Sequence, residues 1–130
     1  MIGMWSELSQ SYLMFLMVGT TIAFSIPIFF CPLAWAKLMK WTIPEQTDLV
    51  LYFGRCLGSL ALVMEYATYQ AATSGMGELI IFQIWIGISL FMVGLHIYGA
   101  SKRIQPITET LEIALWVLLL FLSLAFYPTM

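Results

Sequence analysis

Four apolar stretches of this sequence are each as long as a lipid bilayer is thick: Ser11 to Trp35, Asp48 to Ala72, Gly77 to Ala100 and Ile107 to Tyr127. About 20 mainly apolar residues in a helix cross a hydrocarbon core of about 30 Å. A chain in lipid has no water to satisfy its N–H and C=O groups, so segments of this length must be helical. The expected fold is all-α, a single polytopic domain over residues 1–130 built as a four-transmembrane-helix bundle.

Composition closes off other classes. Hydrophobic residues make up 62% of the chain and charged residues 9%, which a soluble domain could not bury. A formal net charge of -2 leaves no basic surface to displace counterions, so nucleic acid is excluded as a partner. Cys31 and Cys56 lie in apolar runs without CxxC spacing, which reads as two buried thiols. The first apolar run is too long for a secretory leader, so the first span is expected to do the targeting.

The connections orient the bundle. Lys37, Lys40, Arg55, Lys102 and Arg103 all belong to the first and third connections or the adjacent helix ends. The positive-inside rule then puts that side in the cytoplasm and both termini on the non-cytoplasmic side, of a bacterial inner membrane or an equivalent one. Trp5, Tyr12, Tyr66, Tyr69 and Tyr127 would form an aromatic belt at the outer interface. Lys37 to Thr47, flanked by Trp35 and Trp41, reads as an interfacial segment, and Pro27 and Pro32 should kink the second half of the first helix. Pro106 opens the fourth helix, where its missing N–H does no harm.

Small residues mark the packing faces. Gly54 and Gly58 form a GxxxG spacing on the second helix, on the same stripe as Glu65, and Gly87 and Gly94 share a face of the third. Another face of the third helix carries Glu78, Trp85, Ser89 and His96, and the fourth aligns Thr108, Glu112, Trp116, Ser123 and Phe126. With two such faces, the third helix has room for a protein partner.

Ionisable groups inside the spans are the candidate site. Arg55, His96 and Glu112 each stand within about 6 to 10 Å of a helix end on the cytoplasmic side, so the three could meet at one depth. Arginine grips carboxylates bidentately and histidine exchanges protons near neutrality, a set that suits quinone headgroups, carboxylates and proton paths. Each residue also has a purely structural explanation: Arg55 can snorkel, His96 can sit in the interface, and Glu112 can answer the helix dipole. Glu65 lies deeper on the other side with no basic residue near it, which implies a protonated acid, a cation from another chain, or a water-exposed helix end. The nine methionines are scattered as packing residues, and no metal-binding spacing is present. The single histidine excludes paired-imidazole haem ligation within the chain, leaving His96 at most one pigment or haem ligand.

The segment Phe53-Gly54-Arg55-Cys56-Leu57-Gly58, with Gly94-Leu95-His96 and the Leu111-Glu112 pair that opens the fourth helix, resembles the small DoxX-like four-helix membrane proteins. That group includes proteins linked to quinone-dependent sulfur oxidation, and the resemblance assigns no catalytic residue here.

Three functions fit these residues. The first is an accessory or structural subunit of a larger membrane complex in energy conversion, contacting membrane lipids and other membrane protein subunits and catalysing nothing itself. A second is a small quinone-binding redox protein using Arg55, His96 and Glu112, for which bound lipid or quinone is the expected ligand class. The third is an oligomeric transporter or channel with Glu65 as its coupling carboxylate.

Overall fold

The computed structural model describes residues 2–129. Six α-helices follow in order: α1 (Ser9–Thr20), α2 (Ile26–Phe30), α3 (Pro32–Leu38), α4 (Asp48–Ser74), α5 (Glu78–Lys102) and α6 (Ile107–Ala125). A 3-10 turn, Ser6–Leu8, leads into α1, and a π-helical turn, Thr21–Ser25, joins α1 to α2. Four stretches are long and apolar enough to span a membrane: Ser6–Phe30, α4, α5 and α6. The chain is an all-helical, multi-pass integral membrane protein.

The first span differs from the expected Ser11 to Trp35. It begins at Ser6 and stops at Phe30, and Pro32 is the cause. A proline drives the residue before it out of the α region, and Cys31 accordingly sits at φ -133, ψ 55. The chain bends there so sharply that the Trp35 indole N–H donates to the Ala23 carbonyl at 3.2 Å. Residues twelve apart in a straight helix would be about 18 Å apart along the axis. Cys31 at the bend is exposed and Cys56 on α4 is half-exposed, so neither thiol is buried as expected.

Two glycines set the contact between the first span and α4. A Cβ at Gly58 would stand 2.6 Å from the Phe29 backbone, and one at Gly54 would stand 2.6 Å from the Pro32 ring. Close backbone approach of this kind drives helix association in lipid, where burial of apolar surface gives no advantage. Helices α5 and α6 make the other extensive contact, and α4 and α5 touch more lightly.

Both termini lie together at one end of the bundle, where Gly3 N–H donates to the Leu124 carbonyl at 2.9 Å. The core is concentrated near this terminal end, around Tyr12, Leu13, Leu16, Phe82 and Trp85. Tyr12 therefore belongs to the core and not to the aromatic belt: it stacks on Phe126 at 4.7 Å and hydrogen-bonds Ser123 at 2.9 Å. Trp85 donates to the Thr68 hydroxyl at 3.0 Å and ties α5 to α4. The opposite, loop end holds α3, the segment up to Asp48, and the short α5–α6 connection.

Candidate functional site

The connection between α5 and α6 brings its flanking side chains together. Arg103 adopts a left-handed conformation, φ 55, and the N–H of Ile104 returns to the Gly99 carbonyl at 3.1 Å, closing α5 as left-handed C-caps do. The Gln105 side chain then folds back, donating to the His96 carbonyl at 3.0 Å and the Thr110 hydroxyl at 3.1 Å. Gly99 leaves room for it, because any side chain there would occupy the space of the Gln105 amide. Helix α6 starts directly afterwards, and its first turns present Glu109 and Glu112, three apart, on one face toward α5.

His96 meets both acids. Its Nε2 lies 3.1 Å from Glu109 Oε2 and 3.5 Å from Glu112 Oε2. The histidine side chain is 3% exposed, and the two glutamates 12% and 15%. Nδ1 is 2.7 Å from the Met92 carbonyl, which can only accept, so Nδ1 carries a hydrogen and Nε2 is left to face the carboxylates. Each acid has its own indole donor: Trp41 Nε1 to Glu109 Oε1 at 2.8 Å, and Trp116 Nε1 to Glu112 Oε2 at 3.3 Å. The Thr108 hydroxyl, bonded to the Met39 carbonyl, holds the first connection over the start of α6 and so places Trp41. Among the described residues, no lysine or arginine forms a salt bridge with either acid.

Arg55 stays out of this cluster, so of the three groups that could meet at one depth only His96 and Glu112 do. It is exposed on α4 in a shallow depression with Asp48, Tyr52, Cys56 and Ser59. The reason is rotational. Gly54 fixes the face of α4 that packs on the first span, and the next residue points about 100° further round. Gly87 and Gly94 differ from Gly54 and Gly58 as well, since nothing stands within 4 Å of where a Cβ would be on either. Their face is open on this chain and makes no packing contact within it.

Glu65 sits in the other half of the bundle. It is 5% exposed, Ser25 Oγ donates to its Oε1 at 3.1 Å, and its Oε2 has no partner. Ser25 ends the π-helical turn, whose extra residue swings it toward α4. The carboxyl is thus buried in protein and not at a water-exposed helix end.

An apolar groove of about 450 Å³ runs beside the charged cluster, lined by Pro32, Trp35, Trp41, Ile43, Phe53 and Leu57 among others. Trp41 belongs to both features: it lines the groove, and its indole N–H holds Glu109. Sequence reasoning placed His96 and Glu112 at a common depth but passed over Glu109, Trp41 and Gln105. The three-residue spacing of Glu109 and Glu112 was the available signal. His96, Glu109 and Glu112 bring ligand atoms within 4.8 Å of one another, a donor set for a metal ion that no sequence spacing announced.

No protein-family model, no curated protein and no solved structure matches the chain.

Proposed function

We propose that this is a small quinone-binding membrane protein whose ligand lies in the loop-end groove with its head against the His96 cluster. One observation carries the reading: a groove with apolar walls counts among its lining residues Trp41, which also holds Glu109. Ligand sites typically combine an apolar cavity with a few convergent polar groups, and here both occur at one end of a bilayer-spanning bundle. Ionisable groups inside spans are costly and mark function more often than structure. An isoprenoid tail suits the walls, and a carbonyl-bearing ring suits the indoles and carboxyls at the end. The DoxX-like resemblance points the same way, through the quinone-linked members of that group. By the positive-inside rule the loop end faces the cytoplasm and both termini lie outside, in a bacterial inner membrane or an equivalent one.

The test is extraction in mild detergent followed by solvent extraction and chromatography of bound quinone. Wild-type protein should carry quinone in near-stoichiometric amount, and Leu57→Trp, which fills the groove, should lose it. Quinone-free wild-type protein, or quinone unaffected by Leu57→Trp, would contradict the reading.

A second reading, a supporting subunit of a larger membrane complex, is favoured by the surface of α4. Arg55, Ser59, Tyr66 and Gln70 are all exposed there at helical spacing, on a helix that crosses the bilayer. The intact mass of the extracted particle distinguishes the two, since this reading requires other polypeptides in it.

A further inference from the structure

We propose that His96, Glu109 and Glu112 form a binding site for a divalent first-row transition cation, held at the loop end of α5 and α6. The inference stands apart from the quinone reading: the ion would occupy the cluster, and the quinone the neighbouring groove that shares Trp41 with it.

Charge balance is the first argument. Two carboxylates, 12% and 15% exposed in the first turns of α6, face the same imidazole nitrogen, and no lysine or arginine bridges them among the described residues. Ionised acids in such surroundings need matching positive charge. A single divalent cation supplies it in full.

The second argument is orientation. A metal-binding histidine characteristically donates its other ring N–H to a carbonyl or carboxylate, which fixes the ring and aims the free lone pair. His96 does this through Met92, at 2.7 Å, and Nε2 points at the acids. Each carboxylate also accepts an indole N–H, Glu109 from Trp41 on the oxygen turned away from His96 and Glu112 from Trp116 on the oxygen that faces it. The N–H donor on Glu109 bonds Oε1 and leaves Oε2, the atom facing His96, free of it.

Distances give the third. Ligands about 2.0–2.2 Å from one ion lie about 3.0–3.6 Å from each other at adjacent positions. The two edges from His96 Nε2 are 3.1 and 3.5 Å, and all three ligand atoms lie within 4.8 Å of one another. Binding would require the carboxylates to turn toward each other across the remaining edge, which is no longer than 4.8 Å. One imidazole with two carboxylates suits zinc, manganese or ferrous iron better than copper(I) or calcium, and three protein ligands leave a position open for exchange.

The experiment uses full-length protein in mild detergent, stripped with chelator and dialysed against Zn²⁺, with bound metal counted by mass spectrometry and the Co²⁺ form examined by absorption. One ion per chain is expected, with a Co²⁺ ligand-field band. Glu112→Gln, which is nearly isosteric, should weaken binding at least about tenfold, and Trp41→Phe, which removes only an outer donor, about 10- to 100-fold. His96→Ala should abolish the Co²⁺ band, whereas Cys31→Ser with Cys56→Ser should leave it unchanged. Leu57→Trp should keep the metal while losing quinone, so either idea can fail without the other. Wild-type protein that takes up no Zn²⁺, or uptake unmoved by Glu112→Gln and His96→Ala, would overturn the site and leave two protons as the neutralising charge.

Discussion

The bundle buries acids at two depths, and it treats them differently. At the loop end, Glu109 and Glu112 share a histidine and each takes its own indole N–H, with groups contributed by α5, α6 and the α3–α4 connection, while Gln105 ties the His96 carbonyl to the start of α6. In the other half, Glu65 has one serine hydroxyl on one oxygen and nothing on the other. The first arrangement requires several elements to converge, and both ring nitrogens of His96 and at least one oxygen of each acid have a partner. The second arises from one local distortion, the π-helical turn that swings Ser25 toward α4. A carboxyl supported by many elements is costly to disturb, whereas one that is half-satisfied is costly to keep.

Substitutions can break that comparison, beginning with the largest effect. His96→Leu leaves two carboxylates facing each other without their common partner. Breaking a buried charged set in this way costs about 3–5 kcal/mol, so thermal unfolding in detergent should move sharply downward. An unchanged transition would mean that the acids are already solvated and that the cluster is no site. Gly58→Leu is next, at about 1–3 kcal/mol, because its side chain must displace the Phe29 backbone. This change should loosen the contact between α2 and α4, read as faster proteolysis at the Cys31 bend, with the loop-end cluster intact.

Smaller effects belong to Glu65. Ser25→Ala removes the hydroxyl that donates to Oε1 and should cost about 1–2 kcal/mol in thermal stability, the penalty of an unsatisfied buried group. Glu65→Leu should be close to neutral, within about 0.5 kcal/mol, or stabilising, because replacing an ill-partnered buried polar group with an apolar one often is. A loss of several kcal/mol in Glu65→Leu would show that Glu65 holds an undescribed partner and would erase the contrast between the two regions.

Much of the architecture was legible beforehand because bilayer thickness fixes span length, and four apolar runs leave little choice of fold. The first boundary was less so. Pro27 and Pro32 promised a kink, but only the structure shows that Pro27 is absorbed inside α2 while Pro32 ends the span at Cys31. His96 and Glu112 were brought together by depth alone. Depth could not decide whether Arg55 joined them, because it says nothing of rotation, and the rotation of α4 is set by which glycines meet the first span. Glu109 escaped notice because an acid in a helix's first turn already has a reason to be there in the macrodipole. The Ser25–Glu65 contact could not be read from a regular helical wheel, since a π-helical turn shifts every later residue around the axis.

The most direct test of this account compares bound small molecules and metal in wild-type, His96→Ala and Glu65→Leu protein, by native mass spectrometry of the detergent-released particle. If the loop-end cluster is the working site, wild type and Glu65→Leu carry the same bound species and His96→Ala loses it. Retention in His96→Ala, or loss in Glu65→Leu alone, would place the function in the other half of the bundle and contradict the account.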